Sequence, residues 1–202
     1  MVFSEEHKYV FIEVAKTAST SLKRFLLEQD SSSKENIIIS KDNEYIKVNT
    51  HVTAKQLKKI MGDYYDNYTI IGFVRHPFSK IVSNYHFYKN GRAYKNFKNR
   101  RLSIKLKVVL ANLCPFWLWL LAYPYQSNCY FVTDKKQIIV DYLGRYEFLE
   151  KDFFKIFDQL GVDFPSKNLP VSNKSSHKSE EDYGRILKAL IYFRARNRTD
   201  AL

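Results

Sequence analysis

Two segments of this sequence combine a short apolar run with a helix start, and they constrain the fold more than any other feature. The first run covers residues 9–14, and helical spacing of apolar residues begins at Leu22. The second run covers residues 69–74 and is followed by Pro77, which favours the first turn of a helix. Both runs are rich in β-branched and aromatic residues, as is typical of buried strands. The pattern predicts an α/β fold with a central, mainly parallel sheet flanked by helices.

The remaining apolar patterns fit the same fold class. Thr53 and Gln56 have the spacing of a capping box, which predicts that a helix starts at Thr53. A later helix is expected from about residue 149 to residue 160, where Gly161 would end it. Further strands are expected at three short runs rich in β-branched residues: 36–39, 45–48 and 137–142.

Composition limits the class of protein. The 202 residues include 45% hydrophobic residues, which excludes a disordered chain and predicts a single domain over residues 1–202. Cys114 and Cys129 lack the paired spacing of a zinc site, so no metal is expected. Residues 1–8 lack the basic and apolar regions of a signal peptide, which predicts a cytoplasmic protein. The net charge of +12 favours an anionic partner.

Residues 16–21 have the composition of an anion-binding turn. They combine small hydroxyl-bearing residues with one lysine, at the point where a strand leads into a helix. Backbone N–H groups at such a helix start can hold a phosphate or a sulfate. The glycines of a Walker A loop are absent, and the segment alone fits a Ser/Thr-rich helix cap equally well. The segment consists of Lys16, Thr17, Ala18, Ser19, Thr20 and Ser21.

Residues 75–83 supply a second candidate for anion binding. Arg75 ends the second strand, and Ser83 lies two turns into the helix that follows. If this helix runs back across the sheet edge, the two side chains meet and offer a charge and a hydroxyl donor to a second phosphate. Ligands of open α/β sheets bind at that edge.

Together, residues 14–21 and 73–83 resemble the two nucleotide-binding motifs of carbohydrate sulfotransferases of the family 2 type. These enzymes use 3′-phosphoadenosine 5′-phosphosulfate (PAPS) and include bacterial members and the heparan sulfate 2-O-sulfotransferases. The resemblance implies a P-loop-like sulfotransferase fold. It also implies transfer of a sulfuryl group from PAPS to a hydroxyl of a carbohydrate or glycolipid, leaving 3′-phosphoadenosine 5′-phosphate (PAP), without a metal. The resemblance continues at residues 49–52, 124–126, 140–147, 169–170 and 173–177.

The resemblance also implies roles for individual residues. Residues 16–21 would form the 5′-phosphosulfate loop with Lys16 as a catalytic charge, and Arg75 with Ser83 would bind the 3′-phosphate. His51 resembles the histidine proposed as catalytic base in 2-O-sulfotransferase-like members, and a neutral imidazole can accept a proton from a sugar hydroxyl. A polar loop would close over the adenosine side: Lys174, Ser175, Ser176 and His177.

The basic segment at residues 89–107 leaves other functions open. It contains eight Lys and Arg residues and no acidic residue, interleaved with Tyr94 and Phe97. Such a run is most often a solvated face, but it also fits a groove for an acidic glycan acceptor or for single-stranded nucleic acid. The glycan is the favoured partner and no nucleic acid is expected. The alternatives are a nucleic-acid-binding or other anion-binding module that uses this segment, and a nucleotide phosphotransferase. A phosphotransferase would need a Walker loop and acidic metal ligands, which the sequence does not show.

Residues 108–123 form the most apolar part of the sequence. The segment is shorter than a membrane span and is interrupted by Asn112 and Pro115. A buried helix or a wall of the acceptor site is favoured, and a surface that touches lipid or a partner is the alternative, which would make the protein peripheral to a membrane. The short, basic end of the sequence departs from the family pattern, so a truncated or divergent chain is expected after about residue 180.

Overall fold

The structure is a computed structural model that describes residues 1–99, 101–123, 125–170 and 183–196. The chain divides into two compact units. The first consists of Met1–Arg75 with Asn128–Asn173, and the second of His76–Ser127 with Lys174–Leu202. The expectation of a single domain over the whole chain stays a prediction.

The described elements alternate between strands and helices in much of the chain. The strands are β1 (Val2–Ser4), β2 (Tyr9–Ile12), β3 (Ser33–Glu35), β4 (Ile37–Ile39), β5 (Tyr45–Lys47), β6 (Thr69–Val74), β7 (Thr133–Asp134), β8 (Gln137–Ile138) and β9 (Tyr142–Arg145). The helices are α1 (Ser19–Gln29), α2 (Ala54–Met61), α3 (Pro77–Lys89), α4 (Arg92–Lys95), α5 (Leu102–Leu113), α6 (Phe116–Ala122), α7 (Cys129–Val132), α8 (Leu149–Gln159) and α9 (Arg185–Arg196). Short 3-10 helices cover Gly62–Asn67, Phe97–Asn99 and Tyr146–Phe148.

The first unit is built on a five-stranded sheet with the strand order β3-β1-β2-β6-β9. β2, β6 and β9 are parallel to their neighbours in this set, whereas β1 is antiparallel to both β2 and β3. The expected α/β fold is therefore confirmed, and the expected parallel pairing holds for three of the five strands of the central sheet: β2, β6 and β9. The outer strands β1 and β3 were not expected from the sequence.

Both faces of this sheet are buried, because its side chains alternate between two apolar clusters. Val10, Ile12 and Ile70 pack on one face with residues of α2 and α7. Phe11 and Phe73 pack on the other face with residues of α1 and α8. Burying each of these side chains contributes about 1.5–3 kcal/mol. This packing fixes the strands whose ends form the candidate site.

Local signals set several element boundaries where the sequence predicted them. Thr53 accepts a hydrogen bond from the Gln56 backbone N–H (3.2 Å) and the Gln56 side chain accepts one from the Thr53 N–H (2.9 Å), so the capping box is confirmed. Pro77 begins α3, and Gly161 follows the end of α8 with φ of 70°. The expected strands at 36–39 and 45–48 are present as the β4–β5 hairpin.

The expected strand at residues 137–142 is wrong. Gln137 and Ile138 form β8, which pairs with β7 in a separate hairpin, residues 139–141 belong to no strand, and Tyr142 is the first residue of β9. The strand that joins the central sheet is β9, further along the chain. Its Gly144 lies against Phe73, and a Cβ at that position would come within 2.3 Å of the Phe73 ring. Close approach to a large aromatic ring therefore selects a glycine-containing strand over the more β-branched run before it.

The second unit is helical in its described part. α3 packs against α4, α5 and α9. Ile81, Tyr85, Trp119 and Leu120 are buried in its core. The apolar segment at 108–123 forms the end of α5 and all of α6, with one side of each helix buried and the other exposed. Within the described ranges, no helix has the length and apolar character needed to cross a membrane.

Candidate active site

Three parallel strands of the first unit end at the same edge of the sheet. The turn at residues 13–18 follows β2, Arg75 follows β6, and Tyr146 follows β9. The carboxyl edge of parallel strands is where open α/β sheets bind their ligands. The residues at these three ends therefore form the candidate site.

The turn at residues 13–18 adopts a strained backbone that leads into α1. Lys16 and Ala18 have φ of 70° and 59°, in the left-handed region that non-glycine residues rarely occupy. The buried Thr17 hydroxyl donates a hydrogen bond to the Val14 carbonyl (2.8 Å), which holds the turn in this shape. Strain of this kind costs about 1–3 kcal/mol per residue and is concentrated at functional sites.

The first turn of α1 faces this strained segment. The Ala18 carbonyl accepts hydrogen bonds from the Ser21 N–H (2.8 Å) and the Leu22 N–H (3.2 Å), which closes the helix start. N–H groups earlier in a helix have no acceptor within it. Those of Ser19 and Thr20, together with the helix dipole, suit this turn to an anion.

Lys16 and Arg75 bring two positive charges together. The Arg75 guanidinium donates a hydrogen bond from Nη1 to the Lys16 carbonyl (3.2 Å). Burial, and in second place the charge of Arg75, lowers the pKa of Lys16 to about 8. Two poorly solvated cations side by side disfavour each other, and a bound anion would remove that penalty. The charges of Lys16 and Arg75 therefore favour binding of an anion at the candidate site.

One contact to its side chain and one to its backbone hold Arg75 in place. Its guanidinium lies 3.9 Å from the centre of the Tyr146 ring, and its carbonyl accepts a hydrogen bond from Asn128 Nδ2 (2.8 Å). Burial lowers the pKa of Arg75, while Tyr146 and Glu147 act in the opposite direction. The contact with the Tyr146 ring thus orients the charged group of Arg75.

His51 is tied to the same turn through its ring. Nδ1 lies 2.8 Å from the Glu13 carbonyl oxygen, and the ring packs edge-on to Phe131 at 6.4 Å. Since a carbonyl oxygen only accepts, the neutral ring carries its proton on Nδ1 and keeps a lone pair on Nε2. His51 is exposed, so Nε2 can take a proton from a substrate hydroxyl.

Comparison with known proteins decides which family this geometry belongs to. A family model described as the sulfotransferase family matches residues 1–191. The chain belongs to the sulfotransferase family. It is 33% identical over 99 residues to an uncharacterized protein of Archaeoglobus fulgidus, in an alignment that covers 48% of this chain and 72% of that protein. No solved structure matches the chain.

Membership of the sulfotransferase family confirms the resemblance that the two sequence motifs indicated. It supports sulfuryl transfer as the general activity and a transferase as the class of enzyme. The match spans residues of both units.

Some of the expected site residues lie close together in the first unit, whereas others lie in the second unit or outside the described ranges. Residues 16–21, Arg75 and His51 all belong to the first unit and gather around the turn that follows β2. Ser83 is buried in α3 of the second unit, so its pairing with Arg75 stays a prediction. Four expected residues lie outside the described ranges: Lys174, Ser175, Ser176 and His177.

Three further residues contribute to the candidate site, and no sequence pattern indicated their roles there. Tyr146 stacks on Arg75, and Asn128 holds the Arg75 carbonyl. Glu13 is buried at the base of the turn, where it accepts from Lys23 Nζ (3.1 Å) and from the Met1 amino group (2.6 Å). Tyr146 and Asn128 contact residues more than 50 positions away along the chain, so no local pattern could have identified them.

Proposed function

We propose that this sulfotransferase moves the sulfuryl group of PAPS onto a hydroxyl of a carbohydrate or glycolipid and releases PAP. The observation that carries the proposal is the pairing of the Lys16 turn with Arg75 at the carboxyl edge of the sheet. PAPS carries a 5′-phosphosulfate and a separate 3′-phosphate, so it offers anionic groups to both cations. The sulfotransferase family generally uses this donor.

The strained turn and the first turn of α1 act as a P-loop-like cradle in this proposal. Backbone N–H groups of residues 16–21 and the Lys16 ammonium hold the 5′-phosphosulfate. Arg75 binds the 3′-phosphate together with Ser83, and residues 174–177 cover the adenosine. The stacking of Arg75 on Tyr146 supports this role, because it fixes the direction of the guanidinium before the donor arrives.

The transfer step uses His51 as the base. Nε2 of His51 accepts the proton of the acceptor hydroxyl. At the same time, the oxygen of that hydroxyl attacks the sulfur atom of PAPS in line with the leaving group. The bond between sulfur and the bridging oxygen breaks, and the negative charge that develops on that oxygen is stabilised by Lys16. The Glu13 carbonyl, which holds Nδ1–H, orients the ring and stabilises the imidazolium that forms.

The proposal is tested by supplying radiolabelled PAPS together with a panel of saccharides and glycolipids. We expect label on a saccharide hydroxyl with the wild-type chain and loss of that signal with Lys16→Ala. PAP binding without label on any saccharide or glycolipid would contradict the acceptor class. Failure to bind PAP would contradict the donor.

A further inference from the structure

The solvent side of α5 carries a continuous apolar stripe. Its members are spaced by four, three, one and three residues, which places them on one face of a helix. They are exposed by between 39% and 79% of their surface. The opposite side of the same helix is buried in the unit's core through Val108 and Ala111. The members of the stripe are Leu102, Leu106, Val109, Leu110 and Leu113.

The stripe continues onto α6 with the same division of faces. Trp117, Leu118 and Leu121 are exposed, while Trp119 and Leu120 are buried. α5 and α6 together hold eight of the sixteen exposed large apolar side chains in the described chain. We call these eight side chains the α5–α6 apolar face. Apolar residues concentrated in this way mark an interaction surface.

The surroundings of the α5–α6 apolar face are basic. The sequence contains no Asp or Glu from residue 67 to residue 133. Lys105 and Lys107 lie on either side of the stripe in helical projection, with their ammonium groups 5.7 Å from the Phe97 ring and 5.6 Å from the Tyr123 ring. Their stems therefore lie along apolar surface and can extend their charges to its rim.

We propose that the α5–α6 apolar face binds the surface of a bilayer that contains anionic lipid. Exposed leucines and a tryptophan enter the interface between headgroups and acyl chains, and the flanking lysines contact anionic headgroups. A second copy of the chain would bring two basic faces together without any acidic partner in this stretch. Nucleic acid or a free acidic glycan would bind the lysines but leave the leucines in water. This surface is independent of the proposed reaction.

The first test is sedimentation with vesicles of phosphatidylcholine alone and vesicles with about 30% phosphatidylglycerol. Anionic lipid contributes about 1 kcal/mol for each basic residue near the surface, so we expect at least about tenfold tighter binding to the anionic vesicles. Added salt should weaken this binding. Equal binding to both vesicles, or no binding to either, would overturn the proposal.

Two matched variants distinguish vesicle binding through the α5–α6 apolar face from non-specific adsorption of exposed apolar residues. Leu106→Ser with Leu113→Ser should lower vesicle binding by at least about tenfold, because less apolar surface enters the interface. Ile138→Ser, at a similarly exposed position on β8, should leave it unchanged. Circular dichroism and thermal unfolding serve as the check that each variant is folded. Unchanged vesicle binding by the double variant would overturn the assignment.

The two tryptophans provide a reporter of insertion, because both lie on α6. Trp117 is 53% exposed and Trp119 is 1% exposed. Brominated lipid should therefore quench the emission of Trp117, and Trp117→Phe should remove most of that quenching. Quenching that persists in Trp117→Phe would contradict the proposed orientation.

Two further outcomes identify a different occupant. A concentration-dependent dimer that the double leucine variant dissociates would assign the face to a second copy of the chain. Tight binding of heparin that the double leucine variant does not alter, without vesicle binding, would assign the basic rim to a glycan. Either result overturns the lipid proposal and leaves the proposed sulfuryl transfer untouched.

Discussion

At the scale of single residues, two cations and one imidazole meet around the turn at residues 13–18. Lys16 and Arg75 are hydrogen-bonded neighbours, and His51 is held by the turn's own backbone. Burial of the Lys16 ammonium near the charge of Arg75 costs stability in the absence of a ligand. That cost is what an anionic donor would recover, so variants at these positions separate stability from function.

Replacing Lys16 by Met should stabilise the fold while it removes turnover. Burial and the charge of Arg75 already penalise the Lys16 ammonium, as its pKa of about 8 indicates. A relief of about 1 kcal/mol would raise Tm by about 2–4 °C in a chain of this size. Calorimetric unfolding together with a transfer assay measures both effects. A lower Tm with full turnover would contradict the role of Lys16.

PAP affinity should fall as the pH rises through about 8. Below that pH, Lys16 is already charged in the unliganded protein, so binding needs no extra proton. Above it, the anion binds only after Lys16 takes up a proton, and affinity decreases by up to about tenfold per pH unit. Titrations in buffers of different ionisation enthalpy measure the proton uptake. Lys16→Arg is the control, since it stays charged and should give no such decrease.

Removing the His51 ring should lower turnover without weakening donor binding. General base catalysis contributes about 10²- to 10⁴-fold, so His51→Ala should reduce kcat by that factor. Steady-state kinetics and PAP titration measure the two quantities. His7→Ala is the matched control and should keep wild-type turnover, because His7 contacts Asp30 away from this turn. Wild-type turnover in His51→Ala would exclude its role as base.

At the scale of elements, the sequence predicted the start of a helix correctly where residues at that start set the boundary. Thr53 with Gln56, and Pro77, act within one turn of the helix they start, and both helices begin where expected. The strand at 137–142 was misplaced because β9 is selected by its contact with Phe73, not by local β-propensity. β3 contains no apolar residue and β1 contains only two, so neither shows the apolar run that indicated the other strands.

Gly144→Ala tests why β9 occupies its place in the sheet. The new methyl group would come within 2.3 Å of the Phe73 ring, which is fully buried and packs near Phe11 and Phe153. We expect overpacking to lower the free energy of unfolding by about 1–3 kcal/mol in denaturant titrations. Gly184→Ala, where a methyl group meets nothing within 4 Å, should change it by less than about 0.5 kcal/mol. Equal effects would contradict this reading of β9.

At the scale of the whole molecule, the sequence predicted the α/β fold class and the turn that forms part of the candidate site. Residues 16–21 and Arg75 could be identified because each follows a recognisable strand. Tyr146, Asn128 and Glu13 could not, because their roles depend on contacts that only the folded sheet creates. One family match extends across both compact units. Of the candidate donor-binding residues in the described ranges, residues 16–21 and Arg75 lie in the first unit and Ser83 lies in the second.

The most direct test of the central claim is calorimetric titration of the chain with PAP and with ADP at two salt concentrations. We expect PAP to bind more tightly than ADP, because the 3′-phosphate adds a charge-assisted contact with Arg75. Arg75→Ala should then lose most of this preference. A short single-stranded oligonucleotide serves as the third ligand. No PAP binding, with salt-sensitive binding of the oligonucleotide, would contradict the donor site and assign function to the basic surface instead.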